Sequence, residues 1–570
     1  MTKDIPRTPE EKAQAVIDRH GELRTIRQDY ESLWRDVIDF CAIKRFNLDG
    51  TKQAGSKVGV KIYDDTAPLA LKDWADGLFG YLMSPATQWF KLQVRPEWLM
   101  EDRSVKVWLE EVARQLYASL ARSNFYEVTP EFLQDGGSIG TATMYCEEDL
   151  GGRKAVFTVC HPGEVFIAEN RYGQVDTVFR NFKKTSRQSI QEFGENPELS
   201  EDLKENWQTQ PDTEHEFIHA VFPNDDLQMY YESGRMMPKI GRNNKPFVSR
   251  YVQVGQTKLI SDSGYNSFPY LVWRCRKNTK EMYGRSPAGD AIVSILTSNQ
   301  FSRTLINAAQ NEVEPPWAIP EEMRTSGVHL YARGKNYYGK DRERIPIALN
   351  RGINYPVGEE REIAIRRSIE RHFMVEFFSL LSRAAMEGRQ LTVPQVMEMQ
   401  GEKAILLGTV VGRLTSEFLD PVIDRVFEIE ERFGNIPPPP PILAKYAGSP
   451  LEIDYMGPLA QAQRRLFKTQ GIVQAIESSR TIIELFPDTR DNIDADEALR
   501  VIFDATGAPA KTVRDKDEVM QTREARARQM QQDKAAESLL ATAEAVPKIS
   551  QQVEPNSPLA MLSGMEEGAQ

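Results

Sequence analysis

A chain of 570 residues is too long for one core and calls for several domains. Its 40% hydrophobic and 27% charged content is that of a folded protein, and a net charge of -12 argues against a general nucleic-acid binder held by phosphate contacts, which carries a basic footprint. No apolar run reaches the roughly 20 residues that span a bilayer, and Met1 to Glu10 lacks a signal-peptide core, so the mature chain is expected to start here, without a membrane.

Glu11 to Phe46 reads as a long amphipathic helix, with Leu23, Ile26, Tyr30, Leu33, Val37 and Phe40 recurring every three or four residues. Asp64-Asp65-Thr66 and Pro68 then start a second helix carrying Leu71, Trp74, Leu78 and Leu82, which stops at Ser84-Pro85. Gln88 to Leu92 reads as a strand, and Arg103 to Ser123 and Val128 to Gly136 as helices. From Thr141 to about Cys275 the pattern shortens to alternating runs such as Ala155 to Cys160 and Val175 to Phe182, the texture of a β-rich region with a helical insert near Ser186 to Asn206. Cys41, Cys146, Cys160 and Cys275 have no Cys-x-x-Cys spacing, so buried thiols in a reducing cytoplasm are expected.

Ser286-Pro287 opens a helix low in charge and rich in small polar residues, among them Ser294, Ser298, Asn299 and Ser302, which predicts close neighbours. Trp317 to Gly358 is rich in glycine, proline and tyrosine and reads as a small β-hairpin unit. It carries Arg324, Arg333, Lys335, Lys340, Arg342, Arg344 and Arg351, a set suited to DNA, to an acidic protein partner or to plain solvation. Glu359-Glu360 begins a helix that turns basic at Arg366, Arg367 and Arg371, as the macrodipole prefers. Those arginines either face a channel or pair with Glu362 and Glu370 on their own helix.

After a break at Glu387-Gly388-Arg389-Gln390-Leu391, Thr392 and Gln395 form a capping box with Pro394 in the first turn, a strong helix start. From there Leu407, Val411, Leu414, Phe418, Val422, Val426, Ile429 and Phe433 make an apolar stripe, while Glu402, Asp420, Asp424, Glu428 and Glu431 occupy the other side. Pro421 is expected to kink this helix, and Gly401, Gly408 and Gly412 to be approached closely by something. Beyond five prolines, Leu451 to Tyr455 is strand-like. Pro458 to Ser478, Asp494 to Asp504 and Thr512 to about Ala545 read as helices, the last without a deep apolar face, and Pro547 to Gln570 as a disordered tail.

His215-Glu216-Phe217-Ile218-His219 matches the zinc-peptidase pattern, which requires a helix to bring both imidazoles to one metal. Its apolar context, ended by Pro223, is that of a buried strand, where the two rings stand roughly 13 Å apart. Gly136 to Thr141 lacks the lysine of a phosphate loop. Asp488, Asp491, Asp494 and Asp496 lack the glycine and distal ligand of a calcium loop. No catalytic or metal-binding set is expected, and no cofactor.

Four stretches in order resemble the portal, or head-to-tail connector, family of tailed bacteriophages, in its short-tailed form: Tyr63 to Pro68 followed by Trp89-Phe90; Tyr283 to Pro287; Thr392 to Val396; and Gly434 to Pro441 leading to Gly457 to Gln463. The resemblance spans about residues 10 to 510. It implies a multi-domain α+β portal fold: a β-rich wing and hip over 1–285, a first stem helix over 286–313, a β clip over 314–358 and a second stem helix over 359–381. A tunnel loop over 382–392, a kinked channel helix over 393–436, helical C-terminal wing and crown over 437–545 and a tail over 546–570 would follow.

The family further implies a ring of twelve copies at one capsid vertex, passing double-stranded DNA and meeting the terminase large subunit, a tail adaptor, and capsid and scaffolding proteins, assembled in the host cytoplasm. Arg383, Glu387, Gly388, Arg389 and Gln390 would form the tunnel loop. Arg366, Arg367, Arg371, Glu398, Glu402, Glu417, Asp420 and Asp424 are candidates to line the channel, and the basic residues 324 to 344 to bind partners at the clip. Val393 and Gln395 stand where the family usually carries alanine and glutamate, which removes one charge per copy. A monomeric scaffold or adaptor is the alternative class, with a zinc peptidase behind it.

Overall fold

The computed structural model describes residues 8–43, 61–225, 244–313, 355–378, 408–445, 451–455 and 516–550 apart from isolated positions, with short pieces between them. Helix α1 spans Pro9–Phe40 and opens on a capping box: Thr8 Oγ1 accepts from the Glu11 amide at 3.2 Å, and Glu11 Oε2 accepts from the Thr8 amide at 3.1 Å. It ends earlier than the periodicity suggests, and its buried face is rotated. Ile26 is exposed, while Arg27 takes a buried place.

Helices α2 (Thr66–Leu82), α3 (Arg103–Arg122) and α4 (Phe125–Ser138) follow, with strand β1 (Phe90–Val94) between the first two. Strands β2 (Thr141–Asp149), β3 (Lys154–Cys160), β4 (Val165–Glu169) and β5 (Val175–Thr185) lead to the insert, helices α5 (Ser186–Phe193) and α6 (Glu201–Thr209). Then come β6 (Glu214–Pro223), a small hairpin of β7 (Met229–Glu232) and β8 (Arg235–Pro238), β9 (Phe247–Gln253), β10 (Lys258–Tyr265) and β11 (Tyr270–Arg274). They form a five-stranded antiparallel sheet in the order β10-β9-β6-β5-β4 and a three-stranded one in the order β11-β2-β3. This is the β-rich region read from the alternation, helical insert included.

The main core lies where α2, α4, the three-stranded sheet and the later helices meet. Trp74 and Trp273 stack there, centroids 6.2 Å apart and planes within 10°. Their approach explains the glycine pair that ends α4. A Cβ on Gly136 would sit 2.1 Å from Trp273 Cζ3, and one on Gly137 2.6 Å from Trp74 Cζ3. The glycines let two indoles seat against a helix backbone; no phosphate loop is built.

Helix α7 (Pro287–Val313) packs on α8 (Tyr355–His372), and between them Trp317–Ala318 (β12) pairs with Ile347–Ala348 (β13), the base of the expected hairpin unit. The second of these helices departs from its expected span to residue 381. It breaks after His372, where Met374 adopts a φ of +53°, and helical geometry resumes only over residues 375–378. Phe373 at the break is fully buried, and Phe378 beyond it sits where a Cβ on Gly77 of α2 would be 2.3 Å from its ring. The turn thus steers two phenylalanines into the core.

The long helix is described from residue 408 and continues as a π turn, Thr415–Leu419, into α9 (Asp420–Arg432). After α10 (Pro441–Lys445), strand β14 (Leu451–Tyr455) pairs with β1 in the register Phe90 to Tyr455, so the late chain closes onto the early chain. Helix α11, Lys516–Ser550, runs past the expected end near Ala545. Its described side chains are almost all exposed, as its missing apolar face predicts, and Arg103 of α3 meets it at Glu518, 3.0 Å away.

Candidate functional site

The long helix is the element on which the sequence reading converged, and its local geometry follows from Pro421. In an unbroken α-helix the amide of residue 421 bonds the carbonyl of residue 417, but proline has no N–H to give. The helix answers by widening: the Asp420 amide reaches back five residues to the Thr415 carbonyl. Pro421 thus fills the first turn of α9, and a π turn precedes it in place of a simple proline kink. Leu414, Phe418, Val422, Val426 and Ile429 are buried as the stripe requires, with Phe418 stacked on Phe132 at 4.1 Å.

The π turn is fastened by a charge cluster. Arg274, at the end of β11 and 1% exposed, donates from Nη2 to Glu417 Oε1 at 2.6 Å and from Nε to Oε2 at 3.3 Å. Its backbone amide donates to the same Oε2 at 2.9 Å. Arg413 donates to Glu417 Oε1 at 3.1 Å, and the far side of Arg274 contacts Glu169 of β4, which also pairs with Lys277. Two further arginines hold α9 against the β region, one at the loop between β10 and β11 and one at β2. Buried Arg425 donates to Ser267 Oγ and Glu428 Oε2, both at 2.9 Å, and Arg432 reaches Glu148 of β2 at 2.6 Å. On the α3 side, buried Glu430 accepts from Gln115 at 3.1 Å and Asn435 at 2.7 Å.

Among the acidic residues expected along the channel, Glu417 therefore has its charge answered by two guanidiniums. Asp420 is half-buried and accepts a hydrogen bond from the Tyr455 hydroxyl; burial raises its carboxyl above the ordinary value. Asp424 reaches the surface, yet crowding by its neighbours, and then Asp420 one turn away, push its carboxyl up to about 6. Glu398 and Glu402 lie outside the described residues, as do Arg383, Glu387, Gly388, Arg389 and Gln390, and Arg324, Arg333, Lys335, Lys340, Arg342, Arg344 and Arg351.

The paired helices α7 and α8 account for the small polar residues. Ser302 donates to Glu362 at 2.8 Å, Ser298 to Asp64, and Asn299 bridges the Tyr63 amide at 2.7 Å and the Lys61 carbonyl at 3.1 Å. Arg366 pairs with Glu362 at 2.8 Å and with Asp64 at 3.4 Å, the same-helix pairing weighed from sequence plus a partner on α2's N-terminus that spacing could not reveal. Arg367 and Arg371 are exposed. Gly408 and Gly412 have nothing within 4 Å of an added Cβ, so the close approach expected there does not come from this chain's described residues.

The histidine pair of the peptidase-like motif lies on β6, as the apolar context predicts. His215 bonds Ser186 Oγ at 2.9 Å, and that serine is fully buried, out of reach of any substrate. His219 sits between the Tyr270 hydroxyl at 2.7 Å and Ser249 Oγ at 3.0 Å, stacked 3.9 Å from the Tyr251 ring. All four cysteines are buried free thiols; burial pushes Cys146 and Cys275 to about 12 and Cys160 to about 11.

Long helices fastened by arginines to a layered β region define an α+β protein. The family of bacteriophage head to tail connecting proteins matches residues 13–513, and the chain belongs to that family. It is similar to the portal protein of Salmonella phage epsilon15, 30% identical over 536 residues that cover 92% of each chain. It is also similar to a protein of Bordetella phage BPP-1 described as a "Probable portal protein", 26% identical over 535 residues, 90% of this chain and 91% of that one. The function is that of a phage portal, a virion component at the junction of head and tail, in a family whose role is structural.

Proposed function

We propose that the chain closes into a ring of twelve copies around a channel for double-stranded DNA at one capsid vertex, serving packaging and ejection without catalysing a reaction itself. The observation that carries this reading, beside the family match, is the open space at Gly408 and Gly412 on the long helix, where no described residue of the same chain lies within 4 Å of an added Cβ. Glycine inside a helix costs about 1 kcal/mol against alanine, so a close neighbour is its usual reason. A neighbouring copy packed head to tail would supply one, and repetition of a heterologous contact ends in a closed ring.

In that ring Asp424, with Glu398 and Glu402, would give the channel an acidic lining that repels the duplex and lets it slide. Arg367 and Arg371 would sit on the stem nearby, and Arg383, Glu387, Gly388, Arg389 and Gln390 would form the loop that meets DNA. The basic residues from Arg324 to Arg344 would dock the terminase large subunit and the tail adaptor, and the wing would meet capsid and scaffolding proteins during assembly in the host cytoplasm. Twelve copies of a 64.9 kDa chain give about 780 kDa. Native mass measurement and negative-stain images of the purified protein test this; a preparation containing only monomers and dimers refutes it.

A further inference from the structure

A cavity of about 420 Å³ opens between α1 and the β5–β6 part of the large sheet, far along the chain from the long helix. Its α1 wall carries His20, Arg24 and Gln28, spaced by four and so stacked on one face of the helix. Neighbouring charges are already committed. Arg27 donates to the carbonyls of Pro162, Gly163 and Val165 at 3.2, 2.8 and 3.0 Å and lies 3.8 Å from the centroid of the Phe166 ring. Glu31 is shared between Arg27 at 3.0 Å and Arg35 at 3.4 Å, and Glu216 accepts from Asn181 at 2.7 Å.

The three spaced residues are not committed. Among the described residues Arg24 forms no ion pair and Gln28 no hydrogen bond. His20 is 8% exposed with its Nε2 buried and unpartnered, and its ring is held edge-on to Phe166 at 4.4 Å. Burial, then Arg24 and Arg27, lower His20 to about 4 against the opposing pull of Glu216, so the ring is neutral at physiological pH.

We propose that this cavity is a binding site for a phosphate group, free or carried by a nucleotide, held by the Arg24 guanidinium and the Gln28 amide beside the neutral His20 ring. Two donor groups on successive helical turns suit the several acceptor directions of a tetrahedral phosphate, and the guanidinium fork supplies a charge-assisted pair. The cavity exceeds the volume of the ion alone and leaves room for a nucleoside.

The test is calorimetric titration of the full-length protein with inorganic phosphate and, separately, with adenosine monophosphate, at fixed ionic strength. The expected result is saturable binding at one site per chain, weakened about tenfold in Arg24→Gln and unchanged in Arg19→Gln. Arg19 lies on the same helix, paired with Glu22. Tighter binding of the nucleotide identifies it as the source of the phosphate; equal binding identifies the free ion. Absence of saturable binding, equal affinity in Arg24→Gln, or an equal loss in Arg19→Gln overturns the proposal.

Discussion

The guanidinium of Arg274 and the carboxylate of Glu417 meet at 2.6 Å, and through that residue pair the last strand of the three-stranded sheet holds the π turn of the long helix. Arg274 is 1% exposed and Glu417's side chain 16%, so removing one partner leaves the other's charge largely buried. Arg274→Met and Glu417→Met should each lose about 3–5 kcal/mol of unfolding free energy, while the double variant loses clearly less than the sum. Urea denaturation of the four proteins measures this. Additive losses would show that the two residues stabilise the fold independently.

Gly136 and Gly137 lie beneath the stacked indoles, whereas Gly408 and Gly412 face open space in the single chain. Gly136→Ala forces the Trp273 ring to shift and should cost about 1–3 kcal/mol. Gly408→Ala should leave the isolated subunit unchanged or up to about 1 kcal/mol more stable, since alanine favours helix. The informative comparison is the assembled particle. If a neighbouring subunit packs against residue 408, the same substitution reduces the ring fraction on a sizing column while subunit stability holds.

Much of the architecture was legible because it rests on periodicity and punctuation. Leu71, Trp74, Leu78 and Leu82 recur at helical spacing and are all buried on α2, and the alternation from Ala155 to Cys160 became strand β3. The charged anchors were not legible, since a partner across the fold leaves no local trace: Glu417 looked like one of several acidic residues on a solvated face, yet its partner lies 143 residues away. One clue was available. Arg274 ends the apolar run Tyr270–Leu271–Val272–Trp273, and a charge closing a buried strand needs an answering carboxylate. Likewise Ile26 and Arg27 exchanged their expected places because the carbonyls near Pro162 require a donor, which outweighed the simple apolar stripe. The break at Met374 was hidden because nothing in the sequence from Glu359 onward interrupts helix propensity; packing of Phe373 into the core decides it.

His219 is buried and held neutral between Tyr270 and Ser249, its proton affinity lowered well below the ordinary value by burial and then by Arg180 and Lys184. The unfolded chain takes up a proton near pH 6.5 and the folded chain does not, so this site's stabilisation is present above that pH and declines as pH falls below it. His219→Gln, which cannot titrate, should be less stable at pH 7.5, by about 1–3 kcal/mol for the disturbed buried hydrogen bonds. Its deficit should narrow toward pH 5. A deficit constant across that range, read from thermal midpoints, would remove the histidine from the acid response.

Asp424 responds in the opposite sense. Its carboxyl is raised from 3.8 to about 6 by crowding and by Asp420, so the folded chain keeps a proton that the unfolded chain has already lost. Stability from this site is present at low pH and falls as pH climbs between those two values. Asp424→Asn removes the titration, and the variant should match the native protein near pH 4 and unfold at a higher temperature near pH 7. Asp420 is the group that faces it, so Asp420→Asn should draw the transition at Asp424 toward the ordinary carboxylate range while also releasing Tyr455 from its charged acceptor. In a closed ring, the repulsion repeated around twelve copies would widen the difference at pH 7 between Asp424→Asn and native particles at low salt and shrink it at high salt, as screening requires. A salt-independent difference would mean that burial within one subunit, and not charge across subunits, sets the behaviour of this residue.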